Sequence, residues 1–127
     1  MFRYGIRCPS CYIIGFVKRE ASRKETAEKV VDETTMLGHP RRGAKLNEEV
    51  WMTADGRITK YNLAYINHLV CQKDNGRVLG YDNSHGIHHR HFMGKVEPYE
   101  YQNYDLLTAE FHEQVVELWR QEDEENA

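Results

Sequence analysis

The spacing of apolar positions changes character along the chain, and each change predicts an element. From residue 45, Leu46, Val50 and Met52 alternate with polar neighbours, and Thr53-Ala54-Asp55-Gly56 supplies a hairpin turn. Residues 58–71 predict a second, longer strand. Tyr61, Leu63, Tyr65, Leu69 and Cys71 share one face, while Ile58, Ala64, Ile66 and Val70 share the other with Lys60, Asn62 and His68. A strand apolar on parts of both faces is central or covered by a helix. Lys73-Asp74-Asn75-Gly76 is a turn signal leading into a strand over 78–82. A fourth strand covers either 89–93 or 96–101, with Pro98 marking an edge or a bend. Beyond it, Leu107, Phe111, Val115, Leu118 and Trp119 recur at helical intervals, with Asn103 or Asp105 as the cap. These elements predict an α+β fold: an antiparallel sheet of about four strands with a C-terminal helix packed on one face.

The first third reads differently. Residues 18–35 are rich in charge, with Ala21, Ala27, Val30 and Val31 as a thin apolar stripe, and predict a helix. Gly38-His39-Pro40-Arg41-Arg42-Gly43 is a breaker cluster and reads as a linker. Charge changes at the same place. Residues 1–43 carry nine Lys/Arg against five Asp/Glu, whereas residues 44–127 carry eight against fifteen. The expected organisation is a basic, poorly structured extension over 1–43, an α+β domain over 44–121 and an acidic tail over 122–127. A start codon assigned too early would produce such an extension, with Met36 as the alternative start. The competing reading is a basic arm that binds nucleic acid or a protein partner.

Length and composition narrow the classes. At 127 residues the chain suits one compact domain. No apolar run approaches the roughly 18–20 residues needed to cross a bilayer, and no small-residue cleavage site follows the short run at 11–17. Three cysteines at unrelated spacings make no disulfide framework, which suits a reducing cytoplasm. The net charge is −3, and the acidic excess of residues 44–127 argues against a generic duplex-binding module. RNA remains a candidate substrate wherever a local positive patch outweighs the global charge.

Candidate chemistry concentrates in residues 80–91, which hold His85, His88, His89 and His91 with Tyr81, Asp82, Asn83 and Arg90. Imidazole titrates near neutral pH, so such a cluster suits acid–base work or metal binding. On an extended strand His89 and His91 share a face, and His88 and Arg90 share the other. Three readings compete. Paired imidazoles serve as base and acid for attack of a ribose 2′-hydroxyl on its phosphate, with Arg90 or Lys95 stabilising the developing charge and no cofactor. Alternatively, His85, His88, His89 and His91, or Asp82 with some of them, hold a zinc ion, although the spacing matches no standard zinc motif. The plainest reading is a solvated polar loop. Elsewhere, Cys8-Pro9-Ser10-Cys11 has the spacing of half a zinc ribbon without its other half, His68 reads as a structural histidine, and His112 as solvated.

From Ala44 onward the chain resembles the TumE-like family of toxins from bacterial toxin–antitoxin modules. The resemblance runs from Ala44-Lys45-Leu46 to about residue 120. Gly80-Tyr81-Asp82-Asn83, His89-Arg90-His91, Gly94 and Glu97-Pro98-Tyr99 carry it, followed by a helix bearing Leu106, Leu107 and Phe111. It implies a toxin neutralised by an antitoxin, typically a DNA-binding protein encoded beside it, and assigns no catalytic residue. The expectation is a cytoplasmic growth-inhibiting toxin that cleaves RNA without a metal. His89 and His91 form the acid–base pair, Asp82 orients an imidazole, and Arg90 is a phosphate ligand or a brace. Tyr81, Asn83, Lys95 and His88 line the substrate groove. The rival expectation is a non-enzymatic module that docks a partner or is stabilised by zinc.

Overall fold

The computed structural model describes residues 26–126. They form one antiparallel sheet in chain order: β1 (Ala27–Met36), β2 (Lys45–Thr53), β3 (Ile58–Ile66), β4 (Arg77–Asp82), β5 (His89–Phe92) and β6 (Lys95–Pro98). A single long helix, α1 (Tyr104–Glu125), follows and lies on one face. The α+β class expected from the sequence is the one observed, with six strands rather than about four. Both regions offered for the fourth strand hold one, although β6 ends at Pro98 rather than at residue 101. Met93 and Gly94, with φ of 51° and 87°, make the tight turn that joins β5 to β6, opposing Phe92 and Lys95.

Residues 18–35 do not carry the expected helix where they are described. From Ala27 they form β1, paired with β2 from Ala27↔Thr53 to Met36↔Lys45. Val30, Val31, Thr34 and Thr35 are β-branched, stiff at χ1 and better suited to a pleated edge than to a helix. β1 thus lies ahead of the boundary expected at residue 43 and is nevertheless part of the sheet. The expected linker holds a fixed contact: Arg41 reaches the C-terminal end of α1. The strand expected over 58–71 stops at Ile66. There Asn67 closes a turn, its side chain accepting from the Leu69 amide at 3.0 Å and its carbonyl from Val70 and Cys71. Leu69 is therefore 91 % exposed rather than in the core, and His68 is an exposed turn residue.

The core lies between α1 and β3–β4. Tyr61, Leu63 and Tyr65 on β3 and Leu79 and Tyr81 on β4 meet Leu107, Phe111 and Val115 of α1. The helix begins where its sequence indicates, with the Asn103 side chain accepting from the Leu106 amide at 2.9 Å. Buried tyrosines need partners for their hydroxyls, and each of these finds one. Tyr61 meets His88 Nδ1 at 2.7 Å, Tyr65 donates to Glu122, and Tyr81 donates to Gln114 at 2.7 Å. One helix, about 10 Å across, covers only part of a six-stranded sheet roughly 24 Å wide. Among the described residues no helix lies on the far face of the sheet, and the margin toward β5–β6 is only partly covered. Among the described residues no helix is long and apolar enough to cross a membrane.

Candidate functional site: a carboxylate–histidine cluster on the sheet face away from the helix

The alternation of β5 sends His89 and His91 to the face away from α1. Register places His89 opposite Asp82 and His91 opposite Gly80. Asp82 consequently touches both imidazoles: Oδ2 lies 2.9 Å from His91 Nε2, and Oδ1 lies 3.7 Å from His89 Nδ1. The closer contact lacks the alignment of a hydrogen bond, so it is a charge–ring contact rather than a directional one. The two ring centroids are 6.2 Å apart, with planes inclined by 72°. His89 is the more open of the pair, with 27 % of its side chain exposed against 12 % for His91.

Two residues absent from the sequence expectation complete the cluster. Arg77, the first residue of β4, holds Asp74 through Nε at 2.9 Å and a terminal nitrogen at 3.1 Å. Its guanidinium also reaches Asp82 at 3.4 Å and His91 Nδ1 at 3.1 Å. His91 Nδ1 additionally lies 3.3 Å from Asp74, so a donor and an acceptor face the same ring atom. The Arg77 stem crosses directly over Gly80. A Cβ there would come within 2.4 Å of Arg77 Cδ, so glycine is what lets the guanidinium reach His91. The signal available in sequence was the Asp74…Arg77 spacing across the Asn75-Gly76 turn. It reads as a local pair, and nothing in it announces His91, fourteen residues later.

Asp82 is set up to stay ionised. Burial pushes its carboxyl up, but the Ser84 amide (3.2 Å), His91 and Arg77 outweigh burial and hold it below the usual carboxylate value. A buried carboxylate between two imidazoles can stabilise either ring when it carries a proton.

The other expected site residues lie elsewhere. Arg90 points to the α1 side, donating to the Tyr81 hydroxyl at 3.1 Å and to Glu97 at 2.8 Å, which is the geometry of a brace. Tyr81 is fully buried, so it lines no groove on the face away from the helix. His88 packs parallel to Tyr101 with centroids 4.2 Å apart, on the side of the core tyrosines. Burial, and then the neighbouring His89, lower its pKa. Asn83 ties β3 to the following loop, accepting from the Tyr61 amide at 3.1 Å and donating to the Thr59 carbonyl at 3.0 Å. Lys95 is exposed on β6 opposite Phe92. His85 is exposed in a turn with φ of 60°. The four histidines considered for zinc therefore do not converge. Among the described residues no group of three or more His, Cys, Asp or Glu side chains is placed to share a metal ion. Cys8 and Cys11 lie outside the described residues.

A family model described as Toxin TumE matches residues 20–120, which takes in β1 and most of α1 as well as the cluster. No curated protein and no solved structure matches the chain.

Proposed function

The chain belongs to the TumE toxin family, and from that premise we propose that it arrests bacterial growth in the cytoplasm by metal-independent cleavage of RNA at the His89–His91–Asp82 cluster. A toxin of this family has a cognate antitoxin as its partner, here proposed to be a DNA-binding protein encoded beside it. The observation that carries the proposal is the shared carboxylate, Asp82 in contact with both imidazoles on a face free of the helix.

In the reaction, one imidazole removes the proton of a ribose 2′-hydroxyl while the 2′-oxygen attacks the adjacent phosphorus. The other imidazole protonates the departing 5′-oxygen. The O2′–P bond forms and the P–O5′ bond breaks, leaving a 2′,3′-cyclic phosphate and a 5′-hydroxyl. The more open His89 is assigned as the base, and His91 serves as the acid once its Nε2, buried against Asp82 here, turns toward the leaving oxygen. The ring centroids are 6.2 Å apart with the Asp82 carboxylate against both, so the phosphoryl group is assigned to the solvent side of the pair. Asp82 places a negative charge beside both rings, and Arg77, paired with Asp74 and Asp82, lies 3.1 Å from His91 as the cation assigned to the developing charge. Arg90, occupied on the other face, is a brace in this scheme.

Induced expression of the full chain beside His89→Ala and His91→Ala variants, at matched soluble levels, tests the proposal. The expected result is growth arrest with RNA fragments ending in 5′-hydroxyls for the wild type, and a loss of cleavage of about 100-fold or more for each variant. Intact RNA in arrested wild-type cells would sink the nuclease assignment. Equal toxicity of folded His89→Ala, His91→Ala and wild type would reduce the cluster to a structural network.

A further inference from the structure

α1 has a polar side that the core does not use. Between Tyr104 and Glu125 it carries eight Asp or Glu against a single basic residue, Arg120. Beside it the sheet extends past the helix toward β5, and the uncovered margin forms a groove. One part, about 430 Å³, has Leu79, Phe92 and Leu118 as its floor and Glu113 and Glu117 on its rim. The second part, about 460 Å³, shares Phe92, Leu118 and Gln121 with the first and continues past Val70 and Met93 to the exposed Leu69. Together they follow α1 from Glu113 to Asn126, roughly 20 Å at 1.5 Å per residue. That length suits about four turns of helix or six extended residues. Among the described residues the one cation lining the groove, Arg90, is committed to Tyr81 and Glu97. Arg120 is likewise committed to Glu117 and Glu124.

Apolar floor and acidic rim select one kind of occupant, a segment whose apolar side chains are flanked by Lys or Arg. We propose that this groove is where the antitoxin docks, through such a basic, apolar segment. The groove lies on the α1 side, whereas His89, His91 and Asp82 lie on the opposite face of the sheet. Neutralisation on this account does not require the antitoxin to cover the histidines. The charge asymmetry of the molecule has a use in this arrangement: an acidic flank draws a basic partner to the helix side and leaves the other face free.

The test is capture of the full-length chain by the purified antitoxin encoded beside its gene, with neutralisation of growth arrest followed in parallel. Glu113→Lys/Glu117→Lys reverses two exposed rim charges without touching the core. It is expected to weaken capture about tenfold or more, to remove most of its salt dependence, and to leave the free toxin active against growth. Lys60→Glu, on the opposite face, is expected to leave capture unchanged. Undiminished capture of the double variant, or loss of capture by Lys60→Glu alone, would overturn the proposal. Residues 1–25 are also basic, with six Lys or Arg against two Glu. Exchange protection of residues 113–121 in the free chain that vanishes on deleting 1–25 would give the groove to this chain's own extension and would equally overturn it. Capture needs no RNA cleavage, so the docking site and the nuclease assignment stand or fall separately.

Discussion

His88 is tuned by burial first and by the neighbouring His89 second. His88 lies parallel to Tyr101 and meets the Tyr61 hydroxyl, whose own pKa is raised by burial so that it remains a donor. A neutral His88 with its proton on Nε2 accepts from that hydroxyl through Nδ1. Burial, then His89, lower its pKa below the ordinary 6.5. The sign follows from linkage: as pH falls through 6.5 the unfolded chain takes up a proton that the folded chain still refuses. His88 therefore contributes its full stability above 6.5 and loses it progressively below, down to the folded value. His88→Phe keeps a ring in the stack and removes the titration. Urea midpoints measured between about pH 7 and pH 5 are expected to fall more steeply for the wild type than for this variant. Asp82 acts lower on the scale, its depressed pKa adding stability above 3.8 that is lost as pH drops through the folded value.

At the level of elements, α1 ends against its own dipole. Its last turn is acidic, with no basic residue, where a helix C-terminus favours cations. The missing cation comes from the β1–β2 connection. Arg41 bonds Glu122 at 3.1 Å, Asp123 at 2.9 Å and the Trp119 carbonyl at 2.8 Å, and its guanidinium sits 4.9 Å from the Trp119 ring. Tyr65 donates to the same Glu122 from the sheet. With 12 % of its side chain exposed, Arg41 works in a setting where charge-assisted bonds hold their strength. Arg41→Ala is expected to cost about 1.5–3 kcal/mol in chemical denaturation, with the loss centred on the C-terminal turns in hydrogen exchange. Arg41→Lys is expected to recover part of it, since an ammonium cannot reproduce the planar fork.

Across the described residues, two edges and two faces divide the work. β6 is a short edge that holds Lys95, Glu97 and Pro98, features that discourage pairing with other chains. β1 is a long edge that covers β2. A chain beginning at Met36 would lose it and expose β2 as the new edge. Deleting residues 1–35 is expected to lower stability by several kcal/mol, at about 0.2–1 kcal/mol per cross-strand pair, and to shift the protein toward larger species on size exclusion. An unchanged melting temperature and a monomeric profile would show that β1 adds nothing to the fold.

What the sequence determined by itself was the most regular of the local periods. Alternation at residues 45–52 and around Tyr61, Leu63 and Tyr65 marked strands, and the Leu107-Phe111-Val115 stripe with Asn103 marked the helix, so the α+β class was legible. The pairing of His89 with His91 on one face was legible too, because a strand's period of two requires it. Tertiary structure alone decided the rest. β1 is a strand because β2 offers it an edge, a fact no window over residues 18–35 contains. Arg77 joins the histidines because register sets Gly80 opposite His91 and leaves a gap for a stem from three residues upstream. Arg90 and Tyr81, adjacent in motif to the cluster, lie on the α1 side, since neighbours along a strand face opposite ways. The groove beside α1 follows from a width, one helix laid over six strands, and width belongs to the packed molecule rather than to any segment of it.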